Sequence, residues 1–211
     1  MEKQLKDGWL YERRFKFKEK RANSNFIFTI LLIVVSFISL RIYWTENFSG
    51  VIVDGSSMVN TLHNGDKLVM RRVWDIDDVE RGDIIVVDVS GYEEFENRGS
   101  YLIKRMIAFP GEKVRCRKGV ISILKKGKTE YEILDEPYAY YMNVASYSDF
   151  DYEVGEDEIF FLGDNRNGSC DSRYGLSGGS QIDDLYKTTD IYGVVPNWAV
   201  KHQNILEKIF F

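Results

Sequence analysis

The feature that most constrains this chain is a long apolar run near its N-terminus. Residues 26–40 carry no charge and are almost wholly apolar, and the run continues past Arg41 to Trp44. At about 1.5 Å of rise per residue, about 19 helical residues cross a hydrocarbon core of about 30 Å. Arg41 can snorkel near one edge, and Trp44 suits the interface. The run therefore predicts a transmembrane helix over residues 25–44.

Two other structures could use such a run, a buried core helix and a cleaved signal peptide. A globular helix normally shows a polar stripe at helical period, and this run has none. A signal peptide needs a small-residue cleavage site, and the following segment RIYWTENFSG offers none. The sequence therefore favours a retained membrane anchor.

Charge is distributed unevenly along the chain. Residues 1–44 hold nine Lys/Arg and four Asp/Glu. The remaining residues hold 19 Lys/Arg and 29 Asp/Glu. Positive charge before a span marks its cytoplasmic side, so residues 1–24 are predicted to be cytoplasmic and residues 45–211 extracytoplasmic. The acidic body argues against nucleic acid as a partner. The basic residues close to the run are Arg13, Arg14, Lys16, Lys18, Lys20 and Arg21.

Beyond the anchor, the sequence predicts a mainly β, mostly antiparallel domain. Short runs of β-branched and aromatic residues are divided by Gly, Pro, Asn and Asp, and long helical periods are missing. Gly127 marks a candidate hairpin. The acidic, tyrosine-rich residues 136–158 are interpreted as a surface excursion, or alternatively as aromatic cover for part of a core. The predicted strands lie in KLVMRRVW, DIIVVDV, YLIKRMIAF, GVISILKKGK, YEIL and EIFFL.

The two cysteines, Cys116 and Cys170, match no CxxC pattern of a zinc or redox site. We expect free thiols, and a disulfide between them stays an open alternative. No metal and no cofactor are predicted.

Lys104 stands out in the predicted strand YLIKRMIAFPG. The period-2 alternation of side chains places it on one face with Leu102, Met106 and Ala108. One interpretation is an edge-strand lysine that discourages aggregation. The other is a desolvated amine whose pKa is low enough for it to act as a base near neutral pH.

A dense polar loop follows the strand that ends at Leu162. Asp and Asn oxygens could chelate a metal, but Arg166 and Arg173 would oppose a bound cation. We expect a brace of ion pairs and hydrogen bonds, because Arg forks match carboxylates in bidentate geometry. The polar residues of the loop are Asp164, Asn165, Arg166, Asn167, Ser169, Asp171, Ser172 and Arg173.

The adjacent serines of VDGSSMVNTLHNGD, Ser56 and Ser57, fit either an ordinary turn or a nucleophile. A nucleophilic serine needs a base, most often histidine. The chain has only His63 and His202, and neither is placed convincingly for a Ser-His-Asp triad. A Ser-Lys dyad that includes Lys104 is therefore the catalytic hypothesis.

Four segments together resemble those of bacterial type I signal peptidases, the serine-lysine dyad peptidases of family S26. They are GSSMVNTL, RGDIIVVDV, YLIKRMIAFPGEKV and FLGDNRNGSCDSRYG, in the family's order and approximate spacing after a membrane anchor. The segment DIYGVV resembles the strand that closes the family's core. The resemblance implies a signal-peptidase/LexA-like antiparallel β catalytic domain with a smaller inserted β subdomain at about residues 115–157. It also implies signal peptidase I activity, with preprotein signal peptides as substrate, the lipid bilayer as partner and the secretion translocon as a further candidate.

The resemblance also assigns roles to residues. Ser57, which precedes methionine, is the implied nucleophile, and Lys104 is the implied general base. Ser169 is expected to hydrogen-bond and orient that lysine. The backbone N–H of Ser57 is expected to bind the oxyanion, and Gly55 has no hydroxyl to add. Met58 is expected to pack under the site, and the implied structural brace is Asp164, Arg166, Asp171 and Arg173.

Two features depart from the family. Asn60 stands where proline is usual, and the sequence predicts that proline would be tolerated there because its φ would already fit. Residues 176–190 form an extra stretch before the closing strand, and their role is left open. They could cap a substrate groove, contact a partner or simply connect.

Other functions are also compatible with parts of this sequence. A self-cleaving repressor would share the dyad but would carry a DNA-binding region in place of the anchor. A dedicated processing peptidase with a narrow substrate set is one alternative to a general signal peptidase. A decayed, non-catalytic, surface-anchored binding module is another, and the joint presence of Ser57, Lys104 and Ser169 argues against it.

Overall fold

The computed structural model describes residues 2–92, 100–144, 148–173 and 186–203. The chain divides into two compact units, Met1–Asn47 and Phe48–Phe211. Of the extra stretch 176–190, residues 176–185 lie outside the described part, and a short 3-10 turn, Thr188–Asp190, leads into the last strand.

The first unit is a single helix, α1, which spans Glu2–Asn47. It begins earlier and ends later than the predicted residues 25–44. Its part Ser24–Asn47 is long and apolar enough to cross a membrane, and none of that window is buried. The interpretation as a buried core helix is therefore wrong. A helix satisfies its own backbone hydrogen bonds, as a segment in lipid must, and the exposed apolar surface fits a membrane anchor.

The second unit contains two antiparallel sheets, as the sequence predicts. The larger has six strands in the order β1-β2-β10-β3-β4-β9, and the smaller has four in the order β7-β6-β5-β8. A short helix, α2 (Asn197–Lys201), follows the last strand. The strands are β1 Phe48–Ile52, β2 Lys67–Arg72, β3 Ile84–Asp88, β4 Tyr101–Ala108, β5 Lys113–Arg117, β6 Val120–Leu124, β7 Glu132–Ile133, β8 Phe150–Glu153, β9 Phe160–Leu162 and β10 Ile191–Val195.

The smaller sheet lies between β4 and β9 in the sequence, in the range where an inserted subdomain is predicted. Strands β6 and β7 form the predicted hairpin, with Ser122 opposite Ile133, and Gly127 in the turn has a φ of +77°. Glycine adopts this conformation without the steric penalty that other residues meet. Both sheets contribute to one hydrophobic core.

Strand β9 packs aromatic side chains into the core, against the smaller sheet and against Tyr186. Phe160 lies 5.6 Å from Tyr152 between ring centroids, and Phe161 lies 4.5 Å from Tyr186. Both phenylalanines are fully buried, and each contributes about 1.5–3 kcal/mol of burial energy. Of the two interpretations of residues 136–158, aromatic core cover therefore holds at Tyr152. Strand β9 is fixed firmly beside β4, and β4 carries Lys104.

Asn60 has a φ of +25°, in the left-handed region. Proline is locked near a φ of about −65°, and it also restricts the residue before it. The expectation that proline would fit at this position is wrong, because its ring would require the turn to rebuild.

We predict that Asn60→Pro destabilises the folded protein by more than about 1 kcal/mol, because the native φ is incompatible with proline. Asn60→Gly is the matched control and is expected to change stability by less than about 1 kcal/mol, since glycine accepts a positive φ. Thermal unfolding of the detergent-solubilised full chain measures both. A proline variant as stable as the parent would show that the turn has a different backbone.

Candidate active site

Lys104 lies in the interior of the six-stranded sheet, because β4 has β3 on one side and β9 on the other. Its partner on β3 is Ile85, and only 3% of Lys104 is exposed. The edge-strand interpretation is therefore wrong. Met106, on the same face, is fully buried, so the lysine stem is in apolar surroundings as the alternation predicts.

Ser57 is held in a turn between β1 and β2. Met58 and Leu62 are buried, and both the Thr61 and the Leu62 N–H donate to the Met58 carbonyl, at 2.9 and 2.8 Å. The apolar pair anchors a single helical turn, and Ser57 lies at its start. Met58 packs into the core beside the serine, where the resemblance places it.

The turn and the strand bring two of the predicted residues into contact. Lys104 Nζ lies 2.8 Å from Ser57 Oγ and donates to its neighbouring carbonyl, Ile103 O, at 3.0 Å. Ser56 is exposed, and the hydrogen bonds described for the Lys104 amine go to Ser57 and Ile103, not to the Ser56 side chain. The geometry thus distinguishes the two serines, and it allows a proton to pass between Ser57 and Lys104.

Burial lowers the pKa of Lys104 from 10.5 to about 8, because the apolar surroundings disfavour the ammonium form. Asp171, Cys170 and Asp164 act in the opposite direction, since negative charge favours a protonated lysine. The net result leaves roughly a tenth of the amine neutral at pH 7, compared with well under 1% for a solvated lysine. A lysine in this state can accept a proton near neutral pH.

Ser169 differs from the expectation. Its hydroxyl is buried and has no hydrogen-bond partner among the described residues, so the predicted bond between Ser169 and Lys104 is not formed. Ser169 nonetheless lies at the site. A side chain on Gly163 would overlap Ser169 and would come within 2.6 Å of the Ser57 carbonyl, so glycine permits this close approach.

Asp164 and Arg166 of the polar loop pair with residues outside the loop, whereas the sequence predicts a brace within it. Asp164 is fully buried and pairs with Arg105, which donates from Nε to Oδ1 at 3.1 Å. Thr61, in the turn that carries Ser57, also donates to Asp164. The carboxylate therefore links the residue beside Lys104 to the nucleophile turn.

The remaining ion pairs divide between the loop and its surroundings. Arg173 pairs with Asp171 at 2.8 Å, and Asp171 also accepts from the Gly163 N–H at 2.9 Å. Arg166 pairs outside the loop with Glu136, and it donates to the Tyr141 hydroxyl at 2.9 Å. Among the ion pairs of the described residues, Asp171–Arg173 is the one that lies within the loop.

Sequence reasoning missed Arg105, Thr61 and Glu136. Arg105 offered a signal, because the alternation of β4 places it on one face with Ile103 and Ile107, where a buried cation needs a partner. Thr61 and Glu136 gave none, since an isolated Thr or Glu in a polar segment is ordinary.

The structure also shows the surroundings of Gly55, of the two cysteines and of His63. Gly55, with a φ of +100°, donates its N–H to Asn64 Oδ1 at 2.8 Å. Cys116 and Cys170 are not joined by a disulfide, so the alternative of a bond between them is wrong. Asp66 accepts from the backbone N–H of His63 at 2.8 Å, which does not orient an imidazole for catalysis.

Comparison with known proteins identifies the family. The family described as "Signal peptidase, peptidase S26" matches residues 23–197. The chain belongs to this family. Membership makes it a peptidase, hence a hydrolase, and the exposed apolar helix of this signal peptidase family member fits a membrane-anchored protein.

Named relatives cover most of the chain. Signal peptidase I P from Bacillus subtilis subsp. natto is 32% identical over 180 residues, covering 84% of this chain and 90% of the relative. Signal peptidase I from Bacillus licheniformis is 30% identical over 161 residues, covering 75% and 82%. A crystal structure of a signal peptidase I from Enterococcus faecalis V583 is 27% identical, with a TM-score of 0.40, and covers 56% of this chain and 97% of that chain.

The burial of Lys104 makes the stability of the fold depend on pH. Its pKa in the folded state, about 8, lies below the unfolded value of 10.5, so the unfolded chain binds more protons between these values. The free energy of unfolding should therefore rise with pH across this window. Below pH 8 the burial of the ammonium costs about 3 kcal/mol.

We predict that Lys104→Met stabilises this signal peptidase family member at pH 7, because methionine fills a similar volume without a buried charge. The gain should be largest below pH 8 and should shrink as pH approaches 10. Thermal unfolding of parent and variant at pH 6.5, 8 and 9.5 measures it. A gain that does not depend on pH would mean that Lys104 is not titrating in this range.

Proposed function

We propose that this chain removes signal peptides from preproteins, with Ser57 as the nucleophile and Lys104 as the general base. The observation that carries the proposal is the 2.8 Å contact between Ser57 Oγ and the buried Lys104 Nζ. The relatives named signal peptidase I supply the substrate class.

The chemistry is a two-step acyl transfer. Neutral Lys104 takes the hydroxyl proton while Ser57 Oγ bonds to the scissile carbonyl carbon. The tetrahedral intermediate collapses as Lys104 returns that proton to the leaving amine, and the acyl-enzyme remains. Lys104 then takes a proton from water, the resulting hydroxide attacks the ester, and Ser57 recovers its proton as the acid product leaves.

The oxyanion is stabilised by the backbone N–H of Ser57. Among the residues that the structure describes, no acceptor is paired with this N–H. An N–H left unpaired at the nucleophile is available to the oxygen that becomes negative in the transition state.

The substrate binds in extended form. Strand β1 lies at the edge of the six-stranded sheet and ends at Ile52, shortly before Ser57. A peptide added to this edge gains main-chain hydrogen bonds and places alternate side chains toward the site. Shallow pockets at these positions would select small residues.

The first test separates the adjacent serines. Ser57→Ala should abolish cleavage of several purified preproteins, whereas Ser56→Ala should retain most of it because Ser56 does not contact Lys104. Gel analysis of the released mature proteins provides the measurement. Equal losses in the two variants would contradict the assignment, and cleavage of only one preprotein would indicate a dedicated processing peptidase.

A second test addresses the base. The acidic limb of kcat/KM should have a midpoint near pH 8, with activity falling below it as Lys104 is protonated. Lys104→Arg should lose at least about 100-fold in kcat, because guanidinium keeps its proton in this range. Substantial cleavage by this variant, with an unchanged acidic limb, would show that Lys104 is a structural cation.

The proposal includes the orientation of the anchor. Arg13, Arg14 and Lys16 precede the apolar segment, and positive charge favours the cytoplasmic side. The peptidase unit then lies outside the membrane, beside the lipid surface and near the translocon that delivers preproteins.

Topology can be measured with fusions. A C-terminal reporter that works only outside the cytoplasm should be active, and one that works only inside should be silent. The reverse pattern would overturn the orientation while leaving the catalytic proposal intact.

A further inference from the structure

Asn165 contacts the backbone on both sides of Ser57. Its side-chain Nδ2 donates to the Ser56 carbonyl at 3.2 Å, and its own backbone N–H donates to the Ser57 carbonyl at 2.9 Å. The two peptide units that flank the Ser57 Cα are therefore held by one residue. No other feature of the mechanism above uses Asn165.

The first of these bonds acts on the oxyanion donor. The Ser56 carbonyl and the Ser57 N–H belong to the same planar trans peptide, in which C=O and N–H point in opposite directions. The Ser56 carbonyl also accepts from the Val59 N–H at 3.3 Å. Two donors on the oxygen side thus set the direction of the N–H on the other side.

We propose that Asn165 is the positioning residue of the oxyanion donor. Its amide fixes the rotation of the Ser56–Ser57 peptide so that the Ser57 N–H faces the reacting carbonyl oxygen. Hydrogen bonding to the carbonyl also polarises that peptide and strengthens its N–H as a donor. This inference rests on the proposed function, in which Ser57 is the nucleophile.

The surroundings hold Asn165 firmly. The Tyr140 N–H donates to the Asp164 carbonyl at 2.7 Å, and the Arg166 N–H donates to the Tyr140 carbonyl at 2.9 Å, so both neighbours of Asn165 are fixed. A side chain on Gly168 would come within 2.7 Å of Asn165 Nδ2. The amide is confined against the nucleophile turn.

The structure also defines which atom of the Asn165 amide faces the Ser56 carbonyl. Within the part of the chain that the structure describes, Asn165 Oδ1 is buried without a hydrogen-bond partner, while Nδ2 faces the Ser56 carbonyl. The opposite orientation would place two oxygens against each other and lose the bond. The side chain's hydrogen bonding is thus directed at the peptide that carries the oxyanion donor.

The experiment compares Asn165→Ala, Asn165→Leu and the control Asn167→Ala in the full-length protein, with Ser57→Ala assayed beside them. Both Asn165 variants keep the backbone bond to Ser57 and lose only the amide. Asn167 is a matched control from the same loop, since its side chain bonds Asn143 and not the nucleophile turn. Leucine is similar in size to asparagine, so the Leu variant decides the question if Asn165→Ala is unstable.

We expect kcat to fall about 10- to 100-fold in both Asn165 variants with KM nearly unchanged, because a misdirected donor costs less than its complete removal. Affinity for a peptide aldehyde, whose adduct with Ser57 carries an oxyanion, should fall by a similar factor. The acidic limb near pH 8 should not move, since the contact between Lys104 and Ser57 is separate. Asn167→Ala should keep parental kinetics.

Three results would overturn the inference. They are a kcat within about threefold of the parent in Asn165→Leu, an equal loss in Asn167→Ala, or a loss accompanied by a shifted acidic limb and a lowered Tm. The last pattern would mean general loosening of the site. If Ser57→Ala keeps its activity, the proposed function itself fails, and that outcome is distinct from all three.

Discussion

The burial of the Lys104 amine is the constraint on which the rest of the site depends. Lys104 and Arg105 are consecutive in β4, and both are buried, but among the residues described only one of them has a charged partner. Arg105 is neutralised by the buried carboxylate of Asp164, whereas within the described part of the chain Lys104 has no carboxylate at ion-pair distance. Its nearest polar partner is the Ser57 hydroxyl. The low pKa of the lysine therefore persists only while the apolar surroundings and the paired arginine both hold.

The polar loop after β9 serves the site by connecting parts that are distant in sequence. Asp164 reaches Thr61 in the nucleophile turn and Arg105 on the lysine strand, and Arg166 reaches Glu136 at the start of the tyrosine-rich segment. Each of these carboxylates is nearly or fully buried. Removing one partner of such a pair costs about 3–5 kcal/mol, because it leaves an uncompensated charge. The loop thus stabilises the relative position of nucleophile and base.

The smaller sheet contains no residue of the Ser57–Lys104 pair, but it packs against strand β9, which is paired with the lysine strand β4. Phe160 contacts Tyr152 of β8, and Phe160 pairs with Ala108 of β4 through the sheet. Tyr140, between β7 and β8, makes a separate connection to the loop after β9 through its bonds with Asp164 and Arg166. Hydrogen bonds of residues 164–166 thus lie between Tyr140 and the Ser56 carbonyl.

An apolar run and period-2 alternation are local properties, so the sequence alone was enough to predict the apolar helix and the antiparallel β character. The choice of Ser57 and Lys104 came from the resemblance of four motifs to one family, and it stays a proposal. The sequence could not determine that β8 is a strand, since FDYE is polar and is held by cross-strand pairs such as Asp151 with Arg115. Tertiary structure alone decided that Asp164 pairs with Arg105, that the Ser169 hydroxyl has no partner among the described residues, and that Asn60 has a positive φ. The physical reason is that each depends on which distant segments share a small volume, and residue type and spacing do not specify this.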